Sequence, residues 1–156
     1  MTRNLKLLIL IILLIAFAFN SCKKESTSSL TTFLTQRPWK MALLQRFAYV
    51  NNVLVKTDTL QSTCALTQTL TFKKDNNYTY QNYVCTNSTI NKPWSFTADY
   101  LYLNLNSDIT INSLKMQSPA RIITLGQYSL VFDAGDINTT YTKTDSVIIF
   151  RYGFVH

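Results

Sequence analysis

Hydrophobic and polar residues alternate along most of the chain after residue 38. Between Trp39 and Tyr49, large side chains of mainly apolar character occupy every second position, and a similar alternation occurs in 66–72 and 101–105. Because successive side chains of a β-strand point to opposite faces of its sheet, this period of two predicts strands with one buried face. The asparagines at 51–52 suit a tight turn, since asparagine tolerates the left-handed backbone.

The alternation between turn-forming residues predicts an all-β domain. The predicted strands are nine in number and cover 39–49, 53–59, 66–72, 78–85, 93–98, 101–105, 122–125, 128–132 and 140–152. Most are joined to the next by a short turn, which predicts an antiparallel up-and-down meander. Closure into a small barrel would remove the exposed edges of this meander. A two-sheet sandwich has the same sequence pattern of short strands and turns, and it stays an alternative.

A helical period precedes the strands. Leu30, Phe33 and Leu34 are spaced at i, i+3 and i+4, which predicts one apolar face of a short N-terminal helix. Pro38 ends this helix, because proline disfavours the helical conformation of the residue before it.

The first 21 residues have the pattern of an export signal. Arg3 and Lys6 provide a positive start, and residues 7–19 follow without a charge. This apolar run is shorter than the roughly 20 residues that a transmembrane helix needs. It therefore predicts a secretory signal peptide, with an uncleaved N-terminal helix as the alternative.

Asn20, Ser21 and Cys22 follow the apolar run, and short side chains before a cysteine resemble the lipobox of bacterial lipoproteins. The resemblance implies cleavage before Cys22, a diacylglyceryl group on its sulfur, and a further acyl chain, such as palmitate, on the new amino terminus. Several acyl chains give stable anchoring where one does not. We therefore expect a lipid-anchored protein of the bacterial cell envelope, in the outer membrane, with residues 22–29 as a tether and 30–156 as the folded domain.

Two cysteines remain once Cys22 carries lipid. Because an even number of cysteines outside the cytoplasm is typical of disulfides, we expect Cys64 and Cys85 to pair. Such a bond would stabilise the fold by about 3 kcal/mol. The alternative is that the two cysteines form half of a metal site. The chain has only one histidine, His156, to complete such a site. We therefore expect neither a metal nor a cofactor.

The chain carries no recognisable catalytic motif. It has no glycine-rich phosphate loop and no Gly-x-Ser-x-Gly, Cys-x-x-Cys or His-Glu-x-x-His sequence. A Ser-His-Asp triad would have to use His156, at the chain end. Most aspartates fall at predicted turns, and 133–138 is interpreted as a hairpin loop, with a calcium loop as the alternative. We therefore expect a protein without enzymatic activity.

The charge of the chain excludes a further class of function. Of 15 basic residues, two lie in the signal, so the remaining 13 and the 8 acidic residues give the mature chain a net charge of +5. These basic residues are scattered along the chain, whereas nucleic-acid binding needs a clustered basic face. We therefore expect no nucleic-acid partner.

The order of several short motifs resembles the lipocalin-like domain of small bacterial lipoproteins. The motifs are Pro38-Trp39-Lys40, Cys64, the run from Leu70 to Tyr78, Cys85, Pro93-Trp94-Ser95-Phe96 and Leu101-Tyr102-Leu103. The resemblance covers residues 30–105 and implies a lipocalin- or calycin-like barrel of eight or nine strands. Arg37 and Asn76 depart from it, since they stand where that domain has glycine.

The resemblance also implies a small hydrophobic ligand in the barrel interior. The candidate ligand-binding residues are Trp39, Tyr78, Tyr80, Trp94, Phe96, Leu103 and Phe132. Core packing is the alternative role for each, because the interior of a small barrel is often filled by its own side chains. The alternative function is a protein-interaction module with a filled core, whose outer surface around Tyr100 and Tyr102 binds an envelope protein, as accessory subunits, inhibitors or immunity proteins do.

Overall fold

The computed structural model describes residues 22–60, 64–82, 86–105, 110–111, 114–115, 118–137 and 146–156. The predicted signal peptide and Cys85 lie outside these residues. Among the described residues, one helix, α1 (Cys22–Thr35), precedes the strands. It is longer than predicted, because it already includes residues 22–29, which the sequence indicated as a tether.

The rest of the described chain is β-structure. The strands are β1 (Trp39–Val50), β2 (Val53–Thr59), β3 (Thr69–Phe72), β4 (Asn77–Gln81), β5 (Thr89–Phe96), β6 (Tyr102–Leu105), β7 (Thr110–Ile111), β8 (Leu114–Lys115), β9 (Ala120–Leu125), β10 (Ser129–Gly135) and β11 (Ser146–Val155). Strands β7 and β8 form a separate two-stranded sheet.

The other nine strands form one antiparallel sheet that closes into a ring, in the order β11-β10-β9-β6-β5-β4-β3-β1-β2. Closure comes from β1, which pairs with β11 from Lys40 opposite Val155 to Val50 opposite Ser146. The all-β class and the nine main strands are therefore confirmed. The order departs from the predicted meander at β2, because β3 pairs with β1 and not with β2. The described strands of this sheet make one ring, not the two packed sheets of a sandwich.

The helix lies at one end of the ring. The indole N–H of Trp39, the first residue of β1, donates a hydrogen bond of 2.9 Å to the carbonyl of Leu34. Because neighbouring strands are antiparallel, the turns after β3, β5 and β9 lie at this same end, and the turn between β1 and β2 lies at the opposite end. Twelve residues of β1 separate the two ends, a length of about 36 Å.

The interior of the ring is an apolar core. Its fully buried large side chains are Leu34, Trp39, Leu70, Phe72, Tyr78, Tyr80, Leu103, Leu105, Phe132, Tyr152 and Phe154. They come from alternate positions of their strands, as the period of two predicts, and Leu34 is added from α1. Burial of such side chains is the main force that favours the closed ring.

Strand β2 lies outside this arrangement. It pairs only with the second half of β1, from Gln45 to Val50, while β3 pairs with the first two residues of β1. The hairpin of β1 and β2 from Gln45 to Thr59, hereafter the arm, carries three consecutive exposed apolar side chains. Val53, Leu54 and Val55 are 62%, 48% and 58% exposed.

One further segment differs from the sequence prediction. Strand β10 runs on to Gly135, so Asp133 and Ala134 belong to a strand and not to a loop. The extension is possible because Gly135 takes a φ of +105°, which favours glycine. His156 packs against the core, with its ring stacked on Trp39 at 3.8 Å between centroids.

Candidate functional site

The seven predicted ligand-binding residues all belong to the ring interior. Six are buried, and Phe96 is half-buried against the core. Several of them pack against other aromatic rings. The centroid of Trp94 lies 5.5 Å from both Phe72 and Phe96, and that of Phe132 lies 5.3 Å from Tyr152. These edge-to-face and stacked contacts are typical of core packing.

The predicted interaction surface around Tyr100 and Tyr102 is less open than expected. Both residues are half-buried, and the ring of Tyr100 packs 5.4 Å from that of Phe96. Leu101, between them, is 58% exposed, which is the same exposure as Val55 in the arm. Only Tyr128, at 67%, and Val53, at 62%, are more exposed among the large hydrophobic side chains of the described residues.

A pocket of about 450 Å³ opens in the wall of the ring, and none of the seven predicted residues lines it. Its lining residues are Met41, Ala42, Leu43, Leu44, Thr59, Leu60, Cys64, Ala65, Leu66, Thr67 and Gln68. Most of these residues have apolar side chains, but the surface that they expose to the pocket is more polar than apolar. Three of the polar side chains, Cys64, Thr67 and Gln68, come from the segment that leads into β3.

The pocket exists because β1 changes partners along one edge. The first two residues of β1 pair with β3, and pairing with β2 begins only at Gln45. Between them, the backbone N–H of Met41 donates to the carbonyl of Gln68 at 3.2 Å, and that of Leu60 donates to the carbonyl of Leu44 at 2.7 Å. Two single hydrogen bonds therefore hold this part of the wall among the described residues, and the pocket lies beside them.

Gln68 is the buried polar residue of this pocket. Its side-chain carbonyl accepts a hydrogen bond from the hydroxyl of Tyr80, and its amide group donates to Cys64 Sγ at 3.1 Å. These contacts connect the pocket to the polar groups of the ring interior.

Two buried tyrosines lie behind the pocket. Tyr152 stands opposite Leu44 on the inner face, and its buried hydroxyl has no hydrogen-bond partner among the described residues. Burial raises the pKa of Tyr80, and the nearby Tyr152 raises it further. Burial also raises the pKa of Tyr152. Both hydroxyls are therefore neutral donors at physiological pH.

The remaining predicted sites stay predictions. Cys64 borders the pocket, but its expected partner Cys85 lies outside the described residues. Cys22, the expected lipidation site, is the first residue of α1.

Two features are absent from the described residues. No cluster of three or more histidine, cysteine or acidic side chains in that part of the chain is arranged to hold a metal ion. None of its helices combines the length and apolar character that crossing a membrane requires.

Sequence reasoning missed the pocket because its walls come from a change of strand partner. One signal was available in the residue pattern. Gln68 has the same phase as Leu70 and Phe72, which face inward, so the alternation itself places a polar side chain toward the core. The contributions of Met41 and Leu60 depend on pairing between distant segments.

Comparison with known proteins adds no relative. No family model matches the chain, and neither the curated proteins nor the solved structures contain a significant match.

Proposed function

We propose that the chain is a lipid-anchored lipoprotein of the cell envelope whose lipocalin-like barrel binds a small hydrophobic ligand without catalysing a reaction. The pocket in the wall between β1 and the segment before β3 is the binding site. The aromatic residues of the interior form the support behind it.

The wall pocket is the observation that carries this proposal. Its volume of about 450 Å³ falls within the roughly 300–1,000 Å³ typical of small-molecule sites. Such sites combine mostly apolar walls with a few placed polar groups. Met41, Leu44 and Leu60 supply apolar walls here, and Gln68 supplies the buried polar group. The lining surface as a whole is more polar than that of most such sites.

The same residues define the class of ligand. An apolar body would pack against the aliphatic walls, because they offer no charge. One polar group at its end would lie near Gln68, whose hydrogen bonds to Tyr80 and Cys64 hold the amide in place. The ligand class is therefore a small lipid-like or aromatic molecule with one uncharged polar group.

The anchor fits this role through the position of α1. Cys22 begins α1, and the end of α1 contacts the first residue of β1. Lipid on Cys22 would hold the helix end of the barrel toward the outer membrane, with the arm directed away from it.

Native mass spectrometry of the exported, lipidated protein released from neutral detergent tests the proposal. We expect an additional small mass that survives purification. Ala65 is an exposed lining residue, so Ala65→Trp should fill the pocket and abolish the retained mass. Ala98 is exposed in a turn and does not line the pocket, so Ala98→Trp is the matched control and should keep the mass.

The opposite pattern would refute the site. If Ala65→Trp and Ala98→Trp retain the same mass, the molecule binds outside the wall pocket. If the wild-type protein carries no mass and takes up no apolar probe such as a fluorescent fatty alcohol, the ligand-binding function is wrong.

The exposed arm favours a second candidate function, the protein-interaction module. Val53, Leu54 and Val55 are three consecutive exposed apolar side chains, and exposed apolar surface, where it is extensive, marks contact sites. An envelope protein with an apolar surface would cover them. Site-specific photo-crosslinking from position 54 in intact cells should give one defined adduct, which Val53→Ser with Val55→Ser should remove. Crosslinking from the exposed Tyr128 position should not give that adduct.

A further inference from the structure

A row of polar side chains crosses the outer face of the ring, away from the wall pocket. Directly opposite positions on neighbouring strands join Tyr102 to Arg121, Arg121 to Asp133, and Asp133 to Arg151. Side chains at such positions share one face and lie about 5 Å apart at Cβ. None of the three charged residues lines the wall pocket.

One carboxylate in this row faces two guanidinium groups. Asp133 is only 1% exposed, although it lies on the outer face. Arg151 donates hydrogen bonds to both carboxylate oxygens of Asp133, from Nε at 2.8 Å and from Nη2 at 2.9 Å. Arg121 makes one long contact, from Nη2 at 3.4 Å. The cluster of Arg121, Asp133 and Arg151, hereafter the arginine cluster, therefore carries a net charge of +1.

The two arginines differ in how well they are held. The guanidinium group of Arg151 is bound in a fork to Asp133 and lies 5.0 Å over the ring of Phe47. Arg121 remains 41% exposed, and its buried Nε–H has no hydrogen-bond partner among the described residues. The exposed part of the Arg121 side chain is thus the part of the cluster that a ligand can reach, whereas its buried Nε–H is closed to solvent.

We propose that the arginine cluster is an anion site, in which Arg121 binds a carboxylate group. Asp133 and Arg151 are its positioning residues, because Asp133 contacts the guanidinium group of Arg121 and Arg151 holds Asp133 in place. This site goes beyond the proposed function, because it uses another surface and another ligand chemistry.

Charge and shape favour a carboxylate over a phosphate. A planar guanidinium group binds a planar carboxylate through two parallel hydrogen bonds. The net charge of the cluster matches one negative charge, and the nearby Asp133 would repel the second charge of a phosphate. The half-buried ring of Tyr102 beside Arg121 gives an apolar border that suits an organic acid.

The test follows the arginine Nε–H signals of the ¹⁵N-labelled lipidated protein in neutral micelles by NMR. The probes are benzoate and methylphosphonate at constant ionic strength. We expect a saturable shift of the Arg121 signal with benzoate and a weaker response to methylphosphonate. Arg121→Gln should weaken benzoate binding by about tenfold or more, the loss expected for charge-assisted hydrogen bonds.

Two control variants separate a site from general charge attraction. Arg37 is exposed near the helix end, so Arg37→Gln removes the same charge and should leave benzoate binding unchanged. Arg121→Lys keeps the charge but loses the planar fork, and it should bind benzoate less well than the wild type. Equal effects of Arg121→Gln and Arg37→Gln, shifts that do not saturate, or tighter binding of methylphosphonate would overturn the proposal.

A blocked Gly-Glu-Gly peptide distinguishes the two sources of carboxylate. Saturable binding of benzoate alone supports a free organic acid as the ligand. Saturable binding of the peptide as well supports an acidic side chain of a protein. Absence of binding by both probes refutes the site, while the mass retained in the wall pocket would be unaffected.

Discussion

The ring interior and the arm show how similar apolar residues reach opposite environments. Phe132 and Tyr152 stand on neighbouring strands, and both are fully buried because the closed ring surrounds them. Val53, Leu54 and Val55 also lie in a paired strand, yet all three are exposed. Strand pairing alone therefore does not bury a side chain. Burial needs a second surface across the face of the sheet, which ring closure supplies and the arm lacks among the described residues.

The arm has a feature that limits strand addition at its edge. The register between β1 and β2 shifts between Ala48 and Tyr49, which leaves Val55 as an extra residue of β2. Such a bulge twists an edge strand, and the neighbouring Lys56 adds a charge that opposes pairing with a further strand. The exposed side chains, more than the backbone edge, are thus available for contact.

The largest expected effect concerns the interior. Phe132→Ala removes a fully buried ring that stacks on Tyr152 and Phe154, and it should lower the free energy of unfolding by about 3–5 kcal/mol. Tyr128→Ala is the control at an exposed position and should change it by less than about 0.5 kcal/mol. Urea unfolding measures both. Similar losses for the two variants would contradict the interior as the source of stability.

A smaller effect concerns the end of β10, where the strand leaves the ring. A Cβ atom on Gly135 would lie 2.6 Å from the carbonyl oxygen of Ile148, at a φ of +105°. Gly135→Ala should therefore cost about 1–3 kcal/mol in unfolding free energy. Gly126→Ala is the control, because nothing lies within 4 Å of its Cβ position. A neutral Gly135→Ala variant would show that β10 ends earlier.

Two buried hydroxyls allow a finer comparison within the interior. Tyr80 donates to Gln68, so Tyr80→Phe leaves a buried acceptor without this donor and should cost about 1–3 kcal/mol. The hydroxyl of Tyr152 has no described partner, so Tyr152→Phe should be neutral or slightly stabilising. Thermal unfolding at pH 7 distinguishes the two variants, and equal losses would contradict the difference between the hydroxyls.

The same tyrosines predict a loss of stability in alkali. Their pKa values are raised in the folded protein, mainly by burial, while in the unfolded chain they titrate near about 10. Their contribution is thus complete below pH ~10 and declines as pH rises above it, by about 1.4 kcal/mol per pH unit for each tyrosine. Tyr152→Phe should reduce this slope in urea unfolding, whereas Tyr128→Phe should not.

The smallest expected effect on stability concerns the arm. Val53→Ser combined with Val55→Ser should change the unfolding free energy by less than about 0.5 kcal/mol for each exposed position. The variant should nevertheless lower association of the protein at high concentration, as sedimentation velocity can measure. A large loss of stability would show that these side chains are covered.

Part of the fold could be predicted because it depends on local pattern. The period of two placed Trp39, Leu103 and Phe132 on the inner face, and the structure has all three there. The candidate binding pocket could not be predicted in the same way. Leu44 and Gln68 meet only because β1 leaves one partner strand before it gains the next.

The position of Asp133 likewise could not be predicted from the local residue pattern. In the sequence it belongs to a polar segment next to glycine, which favours a loop. In the structure it is buried between Arg121 and Arg151, which are 12 and 18 residues away along the chain. A carboxylate can occupy such a position when it is paired with opposite charges.

The amino-acid sequence by itself determined the class of fold, the approximate position of the main strands, and which side chains face the interior. These properties follow from backbone geometry within each strand. The tertiary structure decided the closure of β1 on β11, the exposure of the arm, the pocket in the wall and the pairing of Asp133 with two arginines. Each of these depends on which distant segments become neighbours and in what register, and a local alternation of residues does not specify that.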